Sequence, residues 1–238
     1  ACAKQFAAQG AKLILVARHI DQLNKIAHSL IENHDVEVQT LPLDIRDAAQ
    51  VKQQLADLPS QWQEIDILVN NAGLALGLDK IQEADIQDWE IMIDTNIKGL
   101  LYVTHYVVQK MLARNSGHII NIGSISGYEI YSGGVVYCAS KFAVRAITEG
   151  LKMDVHGTPI RVSSVAPGMV ETHFSLTRFG GDQQRASDVY RGAQPLMASD
   201  IADAVLYCAT RPSHVDVREI RISPTTQTNA FMLSRNNE

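Results

Sequence analysis

The sequence predicts an α/β fold: a doubly wound parallel sheet in a three-layer α/β/α arrangement. Three observations carry that expectation. Short apolar runs of strand length alternate along the chain with longer stretches of helical periodicity. Runs such as 65–69 and 118–123 read as buried strands, and strands that alternate with helices make a parallel sheet covered on both faces. The length, 238 residues, suits one α/β domain, and no internal repeat, low-complexity tract or interdomain linker divides it. The expectation is a single domain over 1–238.

The opening, residues 1–10, reads as the latter part of a helix stopped by Gly10. It carries neither an initiator Met nor a signal-peptide pattern, so an upstream segment is inferred to be absent from this sequence. Residues 12–17 form an apolar strand-length run. Ile20, Leu23, Ile26, Ala27, Leu30 and Ile31 then recur at helical spacing. Residues 36–41 alternate as a strand, followed by Asp44 and a helix to about Leu58. The strand at 65–69 ends in Asn70-Asn71-Ala72-Gly73, and a long helical region runs from about 85 to 114. After the strand ending at Gly123 come a helix containing Tyr137, a strand at 160–166 and the break Pro167-Gly168. Residues 169–198 are mixed, polar and aromatic, and long for a plain connection, so a lid is expected there. Ser199-Asp200 suits the start of a helix to about Thr210, and 218–222 a last strand.

Composition removes several function classes. Hydrophobic residues make up 46% and charged residues 20%, ordinary for a globular protein. A net charge of −5 with no basic run gives no support to a nucleic-acid or anionic-membrane partner. No apolar stretch approaches a membrane span of roughly 20 residues. Three scattered cysteines and eight histidines form no metal-ligand spacing, so no metal is expected. A reducing, cytoplasmic compartment is the simplest expectation.

The chemistry concentrates in 124–141. Tyr137 and Lys141 stand four apart in a helical stretch, so both side chains leave one face. A phenol is a poor acid-base catalyst near neutrality, and an ammonium beside it favours the phenolate. Lys141 is therefore expected to lower the pKa of Tyr137. Ser124 follows an apolar run and would sit at a strand's carboxyl end, where open α/β sheets place ligands. The bland reading gives an ordinary helix with an exposed lysine and a serine that caps a strand end.

In this order, Asn70-Asn71-Ala72-Gly73, Asn96, Ser124, Tyr137-x-x-x-Lys141 and Pro167-Gly168 resemble the short-chain dehydrogenase/reductase family over essentially the whole chain. The resemblance implies a Rossmann sheet and hydride exchange between a nicotinamide cofactor and a carbonyl or alcohol. It implies Tyr137 as general acid/base and Lys141 as the residue that tunes it and bonds the nicotinamide ribose. It implies Ser124 on the substrate oxygen, Asn96 holding a relay water, and Asn70, Ala72 and Gly73 lining the cofactor crevice. The family's glycine-rich loop between first strand and first helix is absent, so the first strand and that loop are expected to be missing. Within the family, 58–77, 88–99, 131–137 and 174–182 are similar to NADP-dependent 3-hydroxy acid (serine or allo-threonine) dehydrogenases. That similarity implies a short 3-hydroxy acid substrate and a homotetramer paired through helices around 98–113 and 137–155.

Cofactor choice turns on Ala17-Arg18-His19, where no acid stands. Arg18 favours the 2′-phosphate of NADP, or else is a solvated loop charge. Asp44 sits near adenine or caps the next helix. Met169, Val170 and Thr172 follow Pro167-Gly168 at the implied nicotinamide end, with Thr172 able to bond an amide or phosphate. Arg178 is a candidate to grip a substrate carboxylate, or pairs with Asp182. Gly133 and Gly134 leave room for substrate or serve a turn. The expected function is NADP(H)-dependent oxidation of a short 3-hydroxy acid. Reduction of another carbonyl, such as a carrier-bound 3-oxoacyl chain, and a non-catalytic NADP-binding regulator compete with it.

Overall fold

Four of the apolar runs line up as one parallel sheet. The computed structural model describes residues 1–236. In it β3 (Ile67–Asn70), β4 (His118–Ile122), β5 (Arg161–Pro167) and β8 (Glu219–Ile222) pair in that order. Val69 lies opposite Ile120, and Ile120 opposite Ser163. A separate parallel pair joins β1 (Leu13–Ala17) to β2 (Val38–Pro42). The helices are α1 (Cys2–Ala7), α2 (Ile20–His34), α3 (Ala48–Ala56), α4 (Ile86–Ile93), α5 (Leu100–Ala113), α6 (Val135–Asp154) and α9 (Ala198–Ala209). Asp47, not Asp44, caps α3 by accepting from the amides of Ala49 and Gln50.

The three layers follow from β4. Ile119 and Ile120 are both fully buried, and adjacent strand residues point to opposite faces. Ile119 joins a cluster with Val51 of α3 and with Val107 and Met111 of α5. Ile120 joins Phe6 of α1 and Val205 and Cys208 of α9. Burying a side chain of this size contributes about 2 kcal/mol, so β4 holds the helical layers together from both sides.

The expected absence of a first strand is corrected. A strand comes early, at Leu13–Ala17, because its apolar run packs under α1 and α2 and pairs along its length with β2. Only Arg18 and His19 separate β1 from α2, with no glycine between them. Among the described residues no ladder joins β1 to β3, so the strands form two parallel pieces.

The segment 169–198 carries structure of its own. It contains β6 (Val170–Glu171), α7 (Phe174–Arg178), α8 (Gln183–Asp188) and β7 (Leu196–Met197), and β6 pairs with β7 in parallel. The Tyr190 hydroxyl lies 2.7 Å from that of Ser175 and donates to the Val170 carbonyl at 3.1 Å. No helix among the described residues is long and apolar enough to cross a membrane. No group of three or more potential ligands among them is placed to hold a metal ion.

Candidate active site

The carboxyl ends of parallel strands share one edge, and the residues singled out in the sequence gather there. Asn70 ends β3, Ser124 follows β4, and Pro167 ends β5. Ser124 opens a 3-10 turn, Ile125–Gly127, and its hydroxyl accepts from the amide of Ser126 at 3.1 Å. That turn presses against α6 so closely that a Cβ on Gly127 would lie 2.8 Å from the Lys141 carbonyl oxygen. Only a glycine permits the approach that sets Ser124 beside the first turns of α6.

Tyr137 and Lys141 occupy one face of α6, and both are buried. Lys141 Nζ lies 6.0 Å from the centre of the Tyr137 ring and donates to the Ile122 carbonyl at 3.0 Å. Burial pushes the Tyr137 phenol up to about 12. The Ser124 hydroxyl, and behind it Arg178, pull the other way. Burial brings Lys141 down to about 8. The expected lowering of Tyr137 by Lys141 is therefore not what the structure holds: desolvation of the phenolate outweighs every neighbour that favours it.

Asn96 sits in a π-helical turn, Asp94–Gly99, between α4 and α5. Its Oδ1 accepts from the amide of Leu74 at 2.9 Å, while Nδ2 donates to the Leu74 carbonyl at 2.8 Å and to Ser140 Oγ at 3.0 Å. Both amide protons are thus engaged, while Oδ1 keeps a second lone pair that can accept from a relay water. A Cβ on Gly73 would lie 3.3 Å from Asn96 Oδ1 and 3.5 Å from Lys141 Nζ, so the loop after β3 closes over both. The Asn70 amide is likewise used inside the protein, donating to Thr104 and Asn121. Ala72 and Gly73 are exposed at the crevice.

At the outer strands, Arg18 and Asp44 lie near enough that the arginine's charge contributes to holding the Asp44 carboxyl below its ordinary value. The larger cause is Arg46, whose Nε bonds both carboxylate oxygens at 3.0 Å. Arg46 escaped the sequence reading, although its spacing two residues after Asp44 is the signal for such a pair. Arg18 makes no ion pair among the described residues and is exposed. Gly168 donates to the Ile222 carbonyl at 2.7 Å. Val170 packs against the β4–α9 core, and the Thr172 hydroxyl accepts from the amide of Phe174 at 3.1 Å.

A pocket next to Tyr137 is lined by Asp79, Asp88, Trp89, Gly133 and Arg178. The Arg178 guanidinium lies 5.1 Å from the Tyr137 ring centre and 5.3 Å from that of Phe174, and donates to the Tyr131 hydroxyl. Its Nε is buried without a partner among the described residues. Asp182 does not pair with it, accepting instead from the amide of Arg185 at the start of α8. Gly133 has φ +76°, and a Cβ there would meet the Leu78 carbonyl at 2.5 Å. Gly134 differs: it makes room for the Tyr131 ring, which a Cβ would strike at 2.2 Å. Asp79, Asp88 and Trp89 were not singled out as site residues from the sequence, because only the fold, through the loop after β3 and the first turn of α4, carries them to Tyr137.

The model of the family described as short chain dehydrogenase matches residues 1–180. The chain belongs to the short-chain dehydrogenase family. It is 45% identical over 226 residues to an NADP-dependent 3-hydroxy acid dehydrogenase of Salmonella typhi, covering 94% of this chain and 90% of that protein. It is 44% identical over 237 residues to sulfoacetaldehyde reductase 2 of Chromohalobacter salexigens, covering 99% and 93%. Among solved structures, the closed form of serine dehydrogenase complexed with NADP+ matches with a TM-score of 0.91 at 41% identity, covering 99% of this chain and 94% of that one.

Proposed function

We propose that this short-chain dehydrogenase is an NADP-dependent oxidoreductase that acts on the CH–OH group of a short 3-hydroxy acid, of the serine, allo-threonine, 3-hydroxypropionate or 3-hydroxyisobutyrate type. The observation that carries the reading is the buried pair Tyr137 and Lys141, with Ser124 on one side and Arg178, its Nε unpartnered, on the other. Residues at this edge of the sheet fit the cofactor. Lys141 Nζ has three protons and uses one on Ile122, leaving donors for ribose hydroxyls. Arg18, exposed and without an ion pair among the described residues, is suited to a 2′-phosphate. Bound NADP+ supplies the hydride acceptor for this oxidation. The oxidation removes two electrons and one hydrogen from the carbon bearing the hydroxyl, and Tyr137 takes the hydroxyl proton as the carbonyl forms. Ser124 bonds the substrate oxygen, and Arg178 grips the carboxylate in fork geometry. Asn96 serves as a positioning residue that fixes the loop after β3. The single domain carries 169–198 as a lid.

Names of relatives support the same reading: an NADP-dependent 3-hydroxy acid dehydrogenase and an NADP+-bound serine dehydrogenase. Exposed Leu101 and Leu112 on α5, with Phe142 and Met153 on α6, support a homotetramer joined through those helices. Three free cysteines suit a reducing cytoplasm. A second reading is favoured by the sulfoacetaldehyde reductase relative, since the Arg178 fork suits a sulfonate as well as a carboxylate.

The test mixes the full chain with NADP+ or NAD+ and offers serine, allo-threonine, 3-hydroxypropionate and 3-hydroxyisobutyrate, following reduced nicotinamide. Turnover with NADP+ is expected, and Tyr137→Phe is expected to lower it by about a thousandfold. Silence on all four acids alongside reduction of sulfoacetaldehyde would select the second reading. NADPH binding with no turnover of any carbonyl would select a regulator.

A further inference from the structure

The pocket beside Tyr137 holds more charge than a hydroxy acid anion requires. Among the described residues Arg178 is its one cation, and Asp79 and Asp88 are two anions on its wall. The two carboxylates flank Gly77, and the Arg178 backbone is tied to the same residue. The Gly77 amide donates to the Arg178 carbonyl at 2.9 Å. A Cβ built on Gly77 would lie 3.0 Å from Asp79 Oδ2 and 3.7 Å from Asp88 Oδ2. Their neighbour Asp85 has a task of its own, accepting from the amide of Gln87 as the cap of α4. Asp79 and Asp88 have none: neither bonds a cation or any other side chain among the described residues. Burial, and then repulsion from Asp85 and Asp79, raise the Asp88 carboxyl above its ordinary value.

A simple carboxylate substrate entering this pocket gains one cation and approaches two anions. Like charges brought together in a partly desolvated site cost affinity, so such a wall discriminates against a lone anion. A zwitterion reverses that balance, because its ammonium is the counter-ion the two aspartates lack. We propose that Asp88, assisted by Asp79, is a specificity-determining residue that holds the α-ammonium of a 2-amino-3-hydroxy acid while Arg178 holds its carboxylate. This rests on the reading of the reaction above and adds the feature by which the same site separates amino acids from plain hydroxy acids.

Serine and glycerate test it, since both offer a primary alcohol next to a carbon bearing a carboxylate. They differ in having ammonium or hydroxyl on that carbon. With NADP+, the wild-type enzyme is expected to favour serine over glycerate in kcat/KM by roughly tenfold or more, the usual size of one well-placed charge pair. In Asp88→Asn that ratio is expected to collapse toward one, with the change carried by the KM for serine. Asp79→Asn, at an exposed position, is expected to lower the ratio by a smaller factor. A structural role for Asp88 would depress both substrates alike and leave the ratio where it was, which overturns the assignment. If Asp88→Asn does not fold, the wild-type ratio and Asp79→Asn decide: a wild type indifferent to the ammonium, or a ratio unmoved by Asp79→Asn, overturns it equally. A wild type inert toward both, and toward every other 3-hydroxy acid, overturns the reaction itself rather than this residue's part in it.

Discussion

Tyr137 and Lys141 titrate in opposite senses for one reason, the removal of water from both. The phenol is raised to about 12 and the ammonium lowered to about 8. At neutral pH the pair therefore stands as neutral phenol and charged ammonium, the state that can hand a proton to a carbonyl oxygen. Taking a proton from an alcohol needs the phenolate, whose fraction grows about tenfold per pH unit below its pKa. Oxidation should thus quicken as pH rises from about 6 to 9, while carbonyl reduction should lack that rise. Measuring kcat/KM against pH in both directions checks this, and an oxidation profile that stays flat would remove Tyr137's burial from the account. These two residues and Ser124 were legible in the sequence because their geometry is local: a spacing of four within one helix and a position just past one strand. Asp88 was not, because its neighbours at the pocket come from segments distant in the chain.

At the scale of elements, the long helical region of 85–114 was legible as helix, but its interruption was not. The widened π-helical stretch Asp94–Gly99 leaves no mark in apolar periodicity. It is stabilised from outside: Gly99 lies so close to Ile45 that a Cβ would meet its Cδ1 at 2.6 Å, and Asn96 binds both backbone groups of Leu74. The 169–198 segment was legible only as long and mixed, because α7, α8 and the β6–β7 pair are too short to carry a pattern and rest on contacts such as Ser175 with Tyr190. Since π-helical turns recur at functional sites, the Asn96 side chain is best understood as the pin that keeps this one in register beside Lys141. Asn96→Ala strands the Leu74 amide and carbonyl and leaves the Ser140 hydroxyl only its bond to the Tyr137 carbonyl, and should destabilise the fold by about 3 kcal/mol. Ser140→Ala, which removes its bonds with Asn96 and the Tyr137 carbonyl, should cost about 1 kcal/mol. Urea titration of both variants checks the order; equal losses would mean that Leu74 is held by something other than Asn96.

Across the whole molecule, the two ends of the sheet divide the work. Polar groups with spare hydrogen-bonding capacity collect at the carboxyl ends of the strands, while the amino end of β4 buries a histidine deep in the structure. His118 is 1% exposed, and its Nε2 lies 2.8 Å from Ser163 Oγ, which in turn donates to the Val217 carbonyl. That arrangement makes Nε2 the donor and leaves Nδ1 as a neutral, unpartnered acceptor. Burial first, then the nearby charges of Arg161 and Lys152, lower its pKa from 6.5 to about 4. A base whose folded pKa is depressed contributes stability that is fully present above the unfolded value. As pH falls from 6.5 toward 4 the unfolded chain takes up a proton that the folded one refuses, and that contribution is lost. The shift corresponds to about 3 kcal/mol. His118→Gln keeps a donor for Ser163 and cannot titrate. Urea midpoints measured from pH 7 to pH 4.5 should therefore fall more steeply for the wild type than for this variant. Parallel curves would assign acid sensitivity to the carboxylates instead. The steeper wild-type curve would place it in the sheet's core, at the end of β4 away from Ser124.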